Sequence, residues 1–180
     1  MTAGVVSARS LLAEADGLMD ANPAIAAATD AVRPSFASGA EWMRAALGAL
    51  RGEAPRGDAA FTSLGAVKYG AAAAAGAIPI AVAWATSSAW PLLLVVPSFY
   101  AAEVQGVFAF PAALDGAPRP FLASRRMVRA HGGTIRSVAI VVPIALRMLT
   151  GGLAGRGVRR SWCVGCLAVL LWYERRRKTT

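Results

Sequence analysis

One carboxylate interrupts a long apolar run. Between Lys68 and Asp115 lie 46 residues, and Glu103, in FYAAEVQGVFAFP (residues 99–111), is the only charge among them. A lone charge near the bilayer centre costs at least about 2.5–3.5 kcal/mol, and pairing is the usual escape. The candidate partner is Arg147, inside the apolar stretch 137–155. With Asp115 and Arg136 taken as surface markers, a rise of 1.5 Å per residue puts Glu103 and Arg147 both about 17–18 Å deep. An intramembrane Glu103–Arg147 ion pair is therefore expected, fixing the register of two helical hairpins. A second reading gives Glu103 a binding or conducting role, with Tyr100 and Gln105 beside it in sequence.

Other residues with chemical potential are sparse. Cys163 and Cys166 have the C-x-x-C spacing of redox and metal sites. The chain has only two Cys and one His, too few for a four-ligand zinc site, and Leu167 excludes the haem-attachment pattern. The pair adjoins an apolar run, where Cys packs as a small buried residue. His131 is expected as a solvated loop residue. No Ser/His/Asp arrangement and no Gly-rich phosphate loop is present. No catalytic, cofactor-binding or metal-binding residue is assigned, and the expectation is a non-enzyme without a cofactor.

The elements that must position these residues are helices in a membrane. Apolar residues make up 56% of the 180-residue chain and charged residues 16%, well off the balance of a soluble domain. Charge is unevenly spread. Residues 1–58 carry five Arg against seven acids, whereas residues 119–180 carry thirteen basic groups against Glu174 alone. Basic groups interleaved with apolar runs mark a membrane surface rather than nucleic acid. Arg outnumbers Lys seventeen to two, in keeping with a GC-rich bacterial source. No stretch before Asp16 has the apolar core of a signal peptide, so the first segment is expected in the cytoplasm.

Residues 5–21 have helical period, with Leu11, Leu12, Ala15, Leu18 and Met19 on one face. Asn22-Pro23 ends that helix, and a short Ala-rich piece runs to Arg33-Pro34. Ser38 and Glu41 fit a capping box for a helix over 38–51. Residues 52–60 read as a linker. The uncharged run then fits two spans, about 69–88 and 91–113, joined by the turn Ser87-Ser88-Ala89-Trp90-Pro91. A basic amphipathic helix with Arg125, Arg126 and Arg129 follows. Residues 137–155 and 157–173 complete a second, weaker hairpin, at the cost of Arg156, Arg159 and Arg160 on the outer face. Arg175, Arg176 and Arg177 form a basic stop.

The fold class is thus all-α: a polytopic helical membrane protein with two clear spans, four being favoured by the depth match. The domains are a cytoplasmic or interfacial segment, 1–65, and a transmembrane domain, 66–180. The alternative lays 120–173 on the cytoplasmic interface. Arg125, Arg126, Arg129, Arg175, Arg176 and Arg177 are candidate contacts for lipid headgroups or a partner.

With no catalytic set, the expected function is an accessory, assembly or scaffolding subunit of a larger complex in the bacterial inner membrane, such as a respiratory or photosynthetic one. Its N-terminus would be cytoplasmic. Expected partners are other integral subunits and anionic lipid headgroups, or further copies of the chain, and not nucleic acid. The competing function is a small oligomeric transporter or proton/ion conductor using Glu103.

Overall fold

The computed structural model describes residues 6–58, 60–155 and 157–177, which contain helices and turns and no strand. α1 (Ala8–Ala21) opens on a reciprocal cap: Ser7 Oγ accepts from the Ser10 amide while Ser10 Oγ accepts from the Ser7 amide. Asn22 closes α1 and caps α2 (Pro23–Ala31), its Oδ1 accepting the Ala24 and Ile25 amides at 3.1 and 3.2 Å. α3 (Phe36–Arg51) is capped by Ser35, not by the expected Ser38, and Glu41 is exposed. Ser35 is itself extended, at φ −145° and ψ 152°, and its hydroxyl accepts the Ser38 amide at 3.1 Å. Ser38 Oγ instead accepts the Arg33 amide at 2.9 Å.

α4 (Phe61–Thr86) is the first arm of the long hairpin and starts earlier than the apolar run alone implies. Ser87 takes the left-handed conformation at φ 49° and turns the chain, as the Ser87–Pro91 signal leads one to expect. The second arm is not one helix. It consists of a 3₁₀ turn (Trp90–Leu94), α5 (Val95–Glu103), a second 3₁₀ turn (Val104–Gly106) and α6 (Ala109–Leu114). α7 (Pro120–Ala130), α8 (Gly133–Thr150) and α9 (Val158–Arg177) follow.

Three stretches are long and apolar enough to cross a membrane: Phe61–Thr86, Trp90–Leu114 and Gly133–Thr150. The expected fourth span, 157–173, falls in α9 and is not among them. Its apolar centre is short and bounded by Arg159 and Arg160 on one side and Glu174–Arg177 on the other. α9 is instead the buried axis of a helical body, sheathed by α1, α8, α3 and α2. Leu11, Ala15 and Met19 form the apolar stripe of α1, and together with Trp42, Leu47, Leu167, Ala168, Leu170 and Trp172 they make a continuous core. Each such Leu contributes about 1.5–3 kcal/mol by leaving water. Gly165 lets α8 lie close, because a Cβ there would stand 2.2 Å from Met148 Cγ. Of the arginines expected on an outer face, Arg159 donates to the Asp30 carbonyl at 2.7 Å and Arg160 to Asp20 Oδ1 at 2.5 Å. Arg156 lies outside the described residues.

The link after α3 is sewn down. Gly52 caps α3 at φ 80°, and Arg44 donates to the Pro55 and Gly57 carbonyls at 2.9 and 2.8 Å. The Gly57 amide then donates to Leu114 O at 2.8 Å. A Cβ on Gly57 would lie 2.3 Å from the Ala113 and Leu114 carbonyl oxygens, which are backbone and cannot swing away. Gly57→Ala should therefore cost about 1–3 kcal/mol. Gly39→Ala, in α3 with open space around it, should be neutral or gain about 0.5–1 kcal/mol. Thermal unfolding of both variants in detergent, followed by circular dichroism, checks the contrast.

Candidate functional site

The hairpin packs along one stripe of small residues. Gly65, Lys68, Ala72, Gly76, Pro79 and Ala83 are the buried positions of α4. Gly76 brings the returning arm close, since its Cβ would sit 3.5 Å from Phe99 Cβ and the Val95 carbonyl. Outside that stripe the arms are bare: Ile78, Trp84, Trp90, Leu93 and Val96 are all exposed.

Lys68 closes the lower end of this stripe. Its Nζ lies 2.7 Å from Glu103 Oε1, and the two side chains are 7% and 10% exposed. The ammonium also stands 4.8 Å from the Tyr69 ring centroid, a cation–π distance. Gly106, one turn beyond Glu103, leaves room for the lysine stem, as a Cβ there would meet Lys68 Cγ at 3.2 Å. Glu103 Oε2 has no hydrogen-bond partner among the described residues. Phe36 stacks on Tyr69 at 5.7 Å, and Phe61 on Phe110 at 6.2 Å, so the pair sits against an aromatic wall.

Glu103 is therefore paired, but with Lys68 and not with Arg147. Arg147 donates to Asp16 Oδ2 at 3.3 Å, in a bridge both of whose side chains are about a quarter exposed. The depth argument assumed a continuous helix from Asp115 to Glu103. In the structure that helix breaks at Val104–Gly106, and 106–114 is buried in the body. A rise of 1.5 Å per residue therefore does not apply between Asp115 and Glu103. Gly106 followed by Pro111 was the available signal: proline is accommodated in the first turn of a helix, so a new helix starting just before it is the fitting geometry. Lys68 had served only as the end marker of the apolar run.

A second polar cluster lies at the far end of α9. Arg51 reaches Asp115 Oδ1 at 2.5 Å and Glu174 Oε1 through its Nε at 3.0 Å, and Tyr173 Oη donates to Asp115 Oδ2 at 2.9 Å. Burial disfavours the Arg51 charge, but its hydrogen bonds to Asp115 and Glu174 prevail and raise its pKa. Burial and then the Asp115 carboxylate raise that of Tyr173. An open cleft of about 720 Å³, lined by Arg51, Glu53, Arg56, Asp115, Tyr173 and Arg177, adjoins the cluster. Its floor is the set of ion pairs that Arg51 makes with Asp115 and Glu174.

The candidate arginines divide. Arg125, Arg126 and Arg129 are exposed on α7. Arg175 pairs with Glu14, Arg177 approaches Glu174 at 3.4 Å, and Arg176 is near enough to Arg136 and His131 for its charge to act on both. Cys163 is buried and Cys166 half-buried, both as free thiols. Among the described residues no three His, Cys, Asp or Glu side chains gather as a metal site.

His131 is not the solvated loop residue expected. It is 6% exposed, with ring centroids of Phe108 and Trp172 at 6.1 and 6.0 Å. Gly132 and Gly133, both at positive φ (96° and 79°), turn the chain so sharply that the imidazole folds inward. Burial chiefly, then the Arg176 and Arg136 charges, push its pKa down to about 4. The chain matches no known protein family, no curated protein and no solved structure.

Two expectations follow. Lys68→Met should destabilise the protein by about 3–5 kcal/mol by leaving Glu103 buried and unpaired, and Lys68→Met/Glu103→Leu should recover most of it. Arg147→Ala should cost under about 1 kcal/mol, as partly exposed pairs do. Chemical unfolding in detergent of the three variants ranks them. Separately, the His131 pKa is lowered on folding, so its contribution is full above the unfolded value near 6.5 and is lost as pH falls towards 4. Stability measured from pH 7 to pH 4 should fall less steeply in His131→Phe than in the wild type.

Proposed function

We propose that the chain is a non-catalytic, membrane-anchored accessory subunit of a larger complex in the bacterial inner membrane. The observation that carries this reading is the bare hairpin. Above Lys68 and Glu103, α4 and the returning arm pack only their inner stripe and leave large apolar side chains outward. From Lys68 to Thr86 the rise is about 27 Å, and from Trp90 to Glu103 about 23 Å, close to a hydrocarbon core of about 30 Å. Trp84 and Trp90 at the tip suit the opposite interface. The positive-inside rule, applied to Arg119, Arg125, Arg126 and Arg129, favours the cytoplasmic side for the base of the hairpin.

A partner subunit is favoured by the second face of α4. Gly70, Ala73, Ala74 and Ala77 are exposed small residues whose flat surface suits a close helix–helix contact better than lipid. The conducting alternative is less well supported, because Lys68 already holds the Glu103 carboxylate at the base of the hairpin.

Affinity purification of the tagged full chain from its native membrane in mild detergent tests the reading. Stoichiometric integral partners are expected, and Ala73→Leu/Ala77→Leu should lower their recovery at least several-fold without altering the chain's own thermal unfolding. A wild-type chain that runs alone, or only with copies of itself, contradicts it.

A further inference from the structure

The arginines of the basic C-terminal third are used in two ways. Several of those on α8 and α9 pair with acids: Arg147 with Asp16, Arg160 with Asp20 and Arg175 with Glu14 on α1, and Arg177 with Glu174 within α9, while Arg136 at the start of α8 is exposed. Those on α7 do not. Arg125, Arg126 and Arg129 are exposed and make no ion pair or side-chain hydrogen bond among the described residues.

Where α7 sits gives that contrast its meaning. Its inner face is Ser124 and Val128, both fully buried. Ser124 Oγ accepts the Phe108 amide at 3.0 Å, satisfying a donor left open by the break in the returning arm. Phe121 lies over Gly106, where a Cβ would stand 3.3 Å from its ring. Two side chains one turn apart thus pin α7 across the segment immediately below Glu103, at the level where the apolar hairpin enters the body. On the opposite, outer face Leu122 is 39% exposed and lies beside the three guanidiniums.

We infer that α7 is an anionic-phospholipid binding helix, in which Arg125, Arg126 and Arg129 hold headgroup phosphates and Leu122 enters the acyl boundary. Guanidinium forks match phosphodiester oxygens in pairs, and a helix with an apolar residue among cations is suited to lie in the interface plane. Because α7 is fixed to the hairpin floor, the contact also sets how deep the hairpin sits. The inference rests on the reading of the hairpin as the membrane element.

The test is lipid selectivity of the full chain reconstituted in vesicles, read from the motionally restricted fraction of spin-labelled phosphatidylglycerol against spin-labelled phosphatidylcholine. The wild type should prefer phosphatidylglycerol several-fold, less so at high salt. Arg125→Gln/Arg126→Gln/Arg129→Gln should bring the ratio close to one with helix content unchanged, whereas Arg160→Gln, a paired surface arginine, should leave the preference intact. A wild type that restricts both lipids equally, or a triple variant that keeps the preference, overturns the inference while the hairpin reading stands. A triple variant that loses co-purifying protein but keeps the lipid preference assigns the row to an acidic partner instead. No restricted lipid at all removes the membrane reading and this inference together.

Discussion

An ammonium and a carboxylate closed on each other at 2.7 Å fix where the apolar hairpin ends and the protein body begins. Neither group tolerates hydrocarbon alone, and each is more than nine-tenths buried. The pair therefore holds two helices in one register at one level. Above it, the packing stripe needs only small residues, and everything else faces outward. Below it, the returning arm gives up its helix, becomes buried over Gly106–Leu114, and hands the chain to α6 and α7.

The body is organised by a division of charge along the chain. Acids concentrate in the first segment and bases in the last. Folding brings them together: Glu14, Asp16 and Asp20 of α1 meet Arg175, Arg147 and Arg160, while Arg51 of α3 returns the exchange with Glu174 and Asp115. Each exposed pair contributes little, of the order of 0–1 kcal/mol. Their larger effect is selective, since an antiparallel seating of α1 on α9 matches Glu14 with Arg175 and Asp20 with Arg160, and leaves Asp16 for Arg147 of α8. Apolar burial along Leu11, Ala15 and Met19 supplies most of the adhesion.

Local pattern made much of this legible. The stripe of α1, the Asn22-Pro23 junction, the Ser87–Pro91 turn and the amphipathic α7 all follow from spacing within a few turns of chain. What escaped was non-local. The Glu103–Arg147 pairing came from two depth counts, each sound only for an unbroken helix, and the 3₁₀ turn at Val104–Gly106 undid one of them. α9 resembled a weak span because its burial comes from α1, α2, α3 and α8, and no window of its own sequence carries that information. His131 looked exposed because Arg and Gly surround it in sequence, whereas Phe108 and Trp172, which enclose it, lie 23 and 41 residues away.

The most direct measurement is nitroxide scanning along the hairpin of the reconstituted full chain, in a Cys163→Ala/Cys166→Ala background, comparing collisions with oxygen and with a water-soluble nickel chelate. A floor at Lys68–Glu103 predicts that labels at 78 and 93 meet oxygen and not nickel. It also predicts that a label at 63 meets nickel, with the change falling between 64 and 72. Nickel access at 78 and 93, or a lipid-facing signal persisting to 111–114 on the returning arm, would contradict it.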